Sequence, residues 1–329
     1  EIYLTSWLGP ILEKTDYYDD YSTLSIVYDP YLHVQNIKII DLNLPDPLSK
    51  KDKKYYDAFN KENNKLKKAI MEYGAVAIAT EWDWSGNHAI CFVGWDDNYI
   101  GKTVYGEDDE PGAWIIKNSW GSTWGDDGYG YLPYRNNILK ENDFLTAYTF
   151  IFNDTVGYNR NYQYDIAGLT DLLYTNKNQL YYKNTFTAID TDLLSAFSTY
   201  FTCKTKYEVS LYINGKLKLT QNGISDAGYY TIPFNKEFLV NKGDTFAISI
   251  KVNQSKIPIS ENINTNKKLY QKNTSFISFD GKKWIDLYDY QATYGDTETG
   301  HTYISQTACI KAFTRNANPV NTLLNVTDL

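Results

Sequence analysis

The chain has 329 residues, a formal net charge of −8 and a pI near 5.0. A chain of this length usually forms two domains, because single cores stop growing at about 250–300 residues. The acidic balance argues against a nucleic-acid partner, since phosphate binding relies on clustered Lys and Arg. No apolar run approaches the roughly 20 residues that a transmembrane helix needs, so we expect no membrane span and no signal peptide.

The first half predicts a helix followed by strands. Over residues 56–73, Phe59, Leu66 and Ile70 recur at helical spacing, and Gly74 stands where a C-terminal cap belongs. The short apolar segments AVAIAT, HAICFVGW and AWIIKNSW come next and are typical of buried strands. A helix that precedes a sheet in this way indicates an α+β domain.

Beyond about residue 157 the sequence consists of short alternating segments, such as YEVSLYI and TFAISIKV, separated by Asn, Gly, Asp and Lys. Seven or more such segments predict an antiparallel sandwich. INGKL at 213–217 and FDGKKW at 279–284 predict hairpin turns. The predicted fold class is therefore α+β over residues 1–156, followed over residues 157–329 by an all-β, jelly-roll-like sandwich.

One histidine has neighbours that suggest chemistry. His88 directly precedes an apolar strand segment, and Asn118 directly follows another, AWIIK. The Asn118 amide oxygen would accept the Nδ1 proton of the imidazole and hold its tautomer. Trp120 would shield that hydrogen bond from water, and Asn87 would support the histidine. A lone histidine before a strand is usually structural, so the interpretation depends on this neighbourhood.

The segments LKKAIMEYGAVAIA, NHAICFVGWDD and AWIIKNSWGSTWGDDGYGYL resemble, in this order, the C-terminal half of a papain-like cysteine peptidase. In that family a cysteine thiolate paired with the histidine attacks the scissile peptide carbonyl. The resemblance implies that His88 is the general base and later the acid, and that Asn118 orients it. It also implies that Trp82 and Trp84, in EWDWSGN, line the substrate cleft.

The nucleophile is not evident. The family's cysteine lies about 130 to 150 residues before its histidine, whereas His88 has only 87 residues before it. We therefore expect the peptidase domain to be truncated, with the cysteine on a missing N-terminal segment. If HAICFVGW is a strand, Cys91 faces away from His88. We expect Cys91, Cys203 and Cys309 to be inert small hydrophobic residues.

Two other groups of residues suggest further chemistry. Glu81 and Asp83 could be the carboxylate pair of a glycoside hydrolase, but the papain-like context favours residues that shape the cleft. In the second domain, Asn184 and Asp286 supply oxygen donors for a structural calcium ion, unless they are only turn formers. We expect catalysis itself to need no cofactor.

The segments KNTFTAIDTDLLSAFSTYF, VNKGDTFAISIKV and SFISFDGKKWIDL resemble the lectin-like domain that follows papain-like peptidase domains in some bacterial surface proteins. The resemblance implies a cell-wall glycan as a partner. Tyr and Trp on a sandwich face would stack on sugar rings, or would instead fill a core.

Together these observations predict an extracellular or cell-wall-associated bacterial cysteine endopeptidase that acts on protein or peptide substrates. Without the segment that carries the cysteine, the chain should be inactive. The alternative is a non-catalytic papain-fold surface adhesin or scaffold with a carbohydrate-binding domain.

Overall fold

The computed structural model describes residues 2–12, 14–16, 28–45, 51–83, 86–104, 106–108, 110–134, 146–152, 157–262, 268–290 and 305–317. The chain forms two compact units. The helix–sheet unit is Ile37–Ile151, and the sandwich unit combines Glu1–Asn36 with Phe152–Leu329. Within the described ranges, no helix has the length and apolar character needed to cross a membrane.

Two helices and 21 strands are described. In chain order they are α1 (Ile2–Thr5), β1 (Val34–Asp41), α2 (Lys53–Tyr73), β2 (Val76–Asp83), β3 (Gly86–Asp96), β4 (Gly101–Thr103), β5 (Gly106–Asp108), β6 (Ala113–Lys117), β7 (Tyr129–Pro133), β8 (Thr146–Phe152), β9 (Arg160–Tyr162), β10 (Asp171–Tyr174), β11 (Leu180–Thr187), β12 (Asp192–Phe201), β13 (Thr205–Ile213), β14 (Lys216–Ser225), β15 (Gly228–Val240), β16 (Thr245–Val252), β17 (Lys256–Asn262), β18 (Ser275–Ser278), β19 (Ile285–Asp286), β20 (Ser305–Ala308) and β21 (Ile310–Asn316).

Helix α2 has a defined cap at each end. The Asp52 carboxylate accepts the backbone N–H groups of Lys54 and Tyr55, which have no partner inside the helix. Gly74 ends the helix with φ at 90°, and its N–H donates to the carbonyl of Ile70. The predicted helix and its Gly74 cap are confirmed. The helix begins three residues before the predicted residue 56, because Asp52 provides a cap that the hydrophobic periodicity does not reveal.

The helix–sheet unit also contains an antiparallel sheet, and β4 and β5 form a separate two-stranded sheet. The strand order of the larger sheet within this unit is β7-β6-β3-β2-β8. One face of α2 packs against this sheet, which buries the apolar residues that set the helical period. The core contains Phe59, Leu66, Ile70, Val76, Ile78, Ile90, Phe92, Trp114, Ile116 and Leu132. The helix therefore supports the two central strands, β2 and β3, from one side.

The sandwich unit contains two larger antiparallel sheets. One has the order β15-β12-β21-β9, and the other has the order β14-β13-β16-β11-β18-β19. A small third sheet has the order β10-β17-β20. Buried and partly exposed residues alternate along β11 and β13, as expected for strands with one face on a core. The predicted antiparallel β domain is confirmed, and the jelly-roll topology stays a prediction.

Both predicted hairpin turns connect neighbouring antiparallel strands. Asn214 and Gly215 have φ of 50° and 74°, the signs that a two-residue turn between β13 and β14 requires. The turn at 279–284 is a longer loop between β18 and β19. There the Asp280 carboxylate accepts the N–H groups of residues 282 and 283.

The N-terminal residues pack within the sandwich unit. The Tyr200 hydroxyl donates to Thr5 Oγ1 at 3.0 Å, and the Trp7 ring stacks on His33 with its centroid 5.0 Å from that of Phe313. Glu1–Asn36 is grouped with Phe152–Leu329 rather than with the residues between them. As a division of the sequence between two domains, the boundary at 156 stays a prediction.

Candidate active site

The predicted base and its orienting group come together at the end of two neighbouring strands. His88 lies on β3 opposite Thr80 of β2. Asn118 directly follows β6, whose last residue, Lys117, pairs with Cys91 of β3. The Asn118 backbone N–H donates to the Gly128 carbonyl at 3.0 Å, which fixes the chain beyond the strand end.

His88 contacts the Asn118 side chain through its Nε2 atom. The distance from His88 Nε2 to Asn118 Oδ1 is 2.8 Å. The same oxygen accepts the backbone N–H of Ser119 at 2.7 Å, which identifies the atom as the amide oxygen rather than its nitrogen. Because an amide oxygen only accepts, Nε2 carries the proton in the neutral ring and Nδ1 holds the lone pair. The prediction that Asn118 binds Nδ1 was therefore wrong.

The reason for that error is geometric. Sequence spacing predicts which side chains meet, but not which edge of an imidazole ring turns towards its partner. In the serine-protease arrangement the orienting group lies on Nδ1, whereas β3 and β6 here place Asn118 beside Nε2.

Trp120 lies against the imidazole. Its ring centroid is 4.9 Å from that of His88, with the planes tilted by 32°, and Trp124 packs edge-on against it at 5.8 Å. The Trp120 ring therefore covers one side of the His88–Asn118 pair, although Trp120 itself is 49% exposed. The shielding of the hydrogen bond stays a prediction.

The glycine-rich turn after Asn118 positions the site, a role that the sequence analysis did not assign. Gly125 has φ at 61°, and a Cβ there would lie 2.1 Å from the Tyr129 carbonyl oxygen. The tight Asp126–Tyr129 bridge that this glycine permits leads into Gly128, whose carbonyl holds Asn118. The signal in the sequence is GDDGYG, in which Gly125 and Gly128 have positive φ.

The three cysteines do not supply an evident nucleophile. Cys91 is three positions after His88 on β3 and so points to the other face of the sheet, as predicted. Burial raises the pKa of the Cys91 thiol and raises that of Cys309 further. Cys309 is buried as predicted, whereas Cys203 is exposed, and both belong to the sandwich unit.

Several predicted cleft residues lie outside the described parts of the chain. Trp84 is not described, nor are the side chains of Trp82 and Asn87, nor those of Glu81 and Asp83. Their predicted roles in the cleft and in supporting His88 stay predictions.

The two predicted calcium ligands do not meet. Asn184 is buried and donates from Nδ2 to the carbonyls of Ala308 and Ile310. Asn184 pairs with Ser275, whereas Asp286 pairs with the next residue, Phe276, so the two side chains point to opposite faces of the sheet. No cluster of three or more His, Cys, Asp or Glu side chains suited to a metal occurs in the described residues. Calcium binding stays a prediction, for which these two residues do not form a joint site.

Comparison with protein families gives two matches. Residues 27–150 match the papain family cysteine protease model, and residues 161–314 match the lectin-like domain model. Among curated proteins, a cysteine protease of Blomia tropicalis is 44% identical over 63 residues, 19% of this chain and 16% of that protein. Human cathepsin O is 31% identical over 108 residues, 28% of this chain and 30% of that protein. The chain thus spans less than a third of either relative.

Two solved structures share the fold over nearly the whole chain. The clostridial cysteine protease Cwp84 after propeptide cleavage has a TM-score of 0.68 at 22% identity, over 96% of this chain and 81% of that one. The protease and lectin-like domains of Cwp84, a surface layer associated protein of Clostridium difficile, give 0.67 at 22% identity, over 96% and 72%. The order of the two domains is the same.

Proposed function

Because the chain contains a papain-family cysteine peptidase domain followed by a lectin-like domain, we propose that it is part of a cysteine endopeptidase that hydrolyses peptide bonds. The observation that carries this proposal is the 2.8 Å hydrogen bond from His88 Nε2 to Asn118 Oδ1. It holds the imidazole in the tautomer in which Nδ1 can take a proton.

The reaction follows from that tautomer. Nδ1 of His88 accepts the proton of a cysteine thiol, and the thiolate attacks the carbonyl carbon of the scissile bond. Nδ1–H then donates to the leaving amine as the C–N bond breaks, which leaves a thioester. A water molecule gives a proton to Nδ1 and attacks the thioester, releasing the acid and restoring the thiol. Asn118 stabilises the imidazolium throughout, and no step requires a cofactor.

We infer that the thiol comes from a polypeptide segment outside these 329 residues. Of the three cysteines, Cys91 is the one in the same unit as His88, and it faces away from His88. Cys203 and Cys309 belong to the sandwich unit, and Cys309 is fully buried with its pKa raised by burial. The partner is thus the polypeptide segment that carries this cysteine. Protein or peptide is the substrate class that the chemistry fits.

The proposed location is the bacterial cell surface or the extracellular space. Its support is the shared fold with Cwp84, which is described as a surface layer associated protein. For the lectin-like domain we propose a cell-wall glycan as the partner. Fractionation of the native host, followed by immunoblotting of the cell-wall and supernatant fractions, tests the location.

The peptidase test compares the 329-residue chain with a longer product that also includes whatever coding sequence precedes Glu1 in the gene. We expect the chain alone to leave a casein substrate intact, and the longer product to cleave it in a way that iodoacetamide abolishes. Alkylation-sensitive cleavage by the chain alone would make one of its own cysteines the nucleophile. The Cys203→Ser variant, which changes the exposed cysteine, would then identify it.

The non-catalytic scaffold gives the opposite result in the same experiment. A longer product that folds and binds casein without cleaving it, at any pH between about 5 and 8, would favour that alternative.

A thermal melt with calcium and with a chelator tests the structural calcium ion proposed for the second domain. If the ion is bound, calcium and the chelator must give different melting temperatures.

A further inference from the structure

The outward face of the six-stranded sheet carries aromatic rings next to lysines. On β11, Leu180 and Tyr182 are buried, so Tyr181 and Lys183 between and after them point outward. The cross-strand partners on the same face are Lys251, opposite Tyr181, and Phe276, opposite Lys183. Trp284, at the end of the 279–284 loop, belongs to the same surface, because Lys183 Nζ lies over its ring.

Lys183 lies between two rings. Its Nζ is 4.1 Å from the centroid of Trp284 and 4.8 Å from that of Phe276. On the neighbouring strand, Lys251 Nζ is 5.7 Å from the centroid of Tyr181. Lys183 is partly buried, and this burial lowers the pKa of its ammonium group. Neither lysine forms an ion pair with any described residue.

Two of the acids near this surface, Asp280 and Asp286, are compensated by backbone N–H groups. The Asp280 carboxylate accepts two of them at 2.8 Å, from residues 282 and 283. The Asp286 carboxylate accepts one at 2.7 Å and another at 3.0 Å, from residues 273 and 288. Glu208 of β13 lies directly opposite Lys251, whereas the cross-strand partners of Lys183 are Ser249 and Phe276. Lys183 is therefore the lysine of this surface that has no carboxylate opposite it.

Tyr181 is held in a fixed position. Gly281, with φ at 72°, lies so close to it that a Cβ would be 3.0 Å from the ring. The Gln179 amide donates to the Tyr181 hydroxyl at 3.0 Å. A ring that is already fixed loses little conformational entropy when a ligand stacks on it.

We propose that this surface, the Lys183 face, defined as Tyr181, Lys183, Lys251, Phe276 and Trp284, binds a polysaccharide that carries negative charges. Sugar rings pack on aromatic side chains through their apolar C–H faces, and carboxylate or phosphate groups of the polymer pair with the two lysines. A partly dehydrated cation gains more from such a partner than a fully hydrated one.

This inference gives the place and charge of the glycan in the proposed function, and it does not depend on the peptidase reaction. The polysaccharide probes test whether the chain binds a charged glycan, and the face variants test where it binds, so the failure of glycan binding and the failure of its location can be told apart. Peptide hydrolysis is not measured.

Binding is measured by affinity electrophoresis of the intact chain. Polygalacturonate and dextran phosphate are the anionic polysaccharides, dextran is the uncharged one, and poly-L-glutamate is a polyanion without sugars. We expect retardation by at least one anionic polysaccharide, and at least a tenfold weaker effect with dextran and with poly-L-glutamate. No retardation by either anionic polysaccharide overturns the proposal, as does equal retardation by poly-L-glutamate, which indicates simple ion exchange.

Variants then test the location. Lys183→Met keeps the aliphatic packing and removes the charge, and we expect it to weaken binding about tenfold, as should Trp284→Ala. Lys251→Met, on the neighbouring strand β16, provides a second variant if Lys183→Met lowers the melting temperature. The matched control is Lys256→Met, because Lys256 lies 5.5 Å from the ring of Tyr174 on the small third sheet. Binding retained by all three face variants, or lost equally in the control, overturns the assignment to the Lys183 face.

Discussion

His88 and Asn118 form a hydrogen bond between Nε2 and Oδ1, and the amide oxygen that accepts it also accepts the N–H of Ser119. Two donors on one oxygen leave the amide group a single orientation. That orientation in turn fixes the tautomer of the imidazole. The tautomer of His88 is therefore set by the backbone that follows β6.

Replacing these two residues should have unequal effects in the cysteine-containing protein. His88→Ala should lower kcat/KM by at least about 10⁴-fold, because the thiol loses the base that ionises it. Asn118→Ala should lower it by about 10- to 100-fold, the equivalent of ~1–3 kcal/mol for a lost orienting hydrogen bond. A fluorogenic peptide assay measures both.

The control for this pair is Asn98→Ala, which changes an exposed asparagine of the same unit and should leave kcat/KM unchanged. Equal losses for His88→Ala and Asn118→Ala would contradict a purely orienting role for Asn118.

The sequence predicted that His88 and Asn118 lie close together, because each is next to an apolar segment that is typical of a buried strand. It could not decide between Nδ1 and Nε2, since ring orientation depends on how β3 and β6 are paired. The cap at Asp52 was missed for a related reason, as it precedes the apolar period of the helix.

The sequence analysis did not predict any polar contact between residues far apart in the chain, such as an ion pair. Lys311 and Asp165 are separated by 146 positions, yet Lys311 Nζ donates to Asp165 Oδ2 at 2.6 Å. Neither residue lies in a pattern that predicts burial, and charged residues are rarely buried unless they are paired. Their partnership follows only from the position of β21 in its sheet.

That ion pair yields a second prediction. The side chains of Lys311 and Asp165 are 1% and 0% exposed. Lys311→Met should destabilise the sandwich unit by about 3–5 kcal/mol, because it leaves the Asp165 carboxyl group buried without its cation. Combining it with Asp165→Leu should recover much of the loss, since two apolar side chains can fill the space without charge.

Urea denaturation of the single and double variants measures this coupling. If the two losses simply add, the pair does not act as a unit, and the expected recovery is wrong.

A third prediction concerns the turn that holds Asn118. Gly125→Ala places a Cβ 2.1 Å from the Tyr129 carbonyl, so the backbone of the turn must move. We expect a loss of stability clearly larger than the ~1–2 kcal/mol of left-handed strain alone. Gly121→Ala is the matched control, because Gly121 has φ at 80° but no atom within 4 Å of the position that a Cβ would take. Thermal unfolding of both variants gives the comparison, and equal shifts would show that contact with Tyr129 is unimportant.

The final prediction concerns pH. Glu261 is 8% exposed, and its burial, with the nearby Asp171 carboxylate, raises its pKa from 4.5 to about 7. The folded state therefore holds this proton more tightly than the unfolded state does. The stability that results is fully present below about pH 4.5, falls as the pH rises towards 7, and is lost above that value.

Glu261→Gln should remove this dependence, because an amide of the same shape does not ionise. Its melting temperature should exceed that of the unmodified protein at pH 8, and the difference should shrink or reverse at pH 5. Thermal melts at both pH values, with Glu208→Gln on the six-stranded sheet as a control, isolate the effect from other titrating groups. Melting curves of Glu261→Gln that run parallel to those of the unmodified protein from pH 5 to 8 would show that Glu261 titrates alike in the folded and unfolded states.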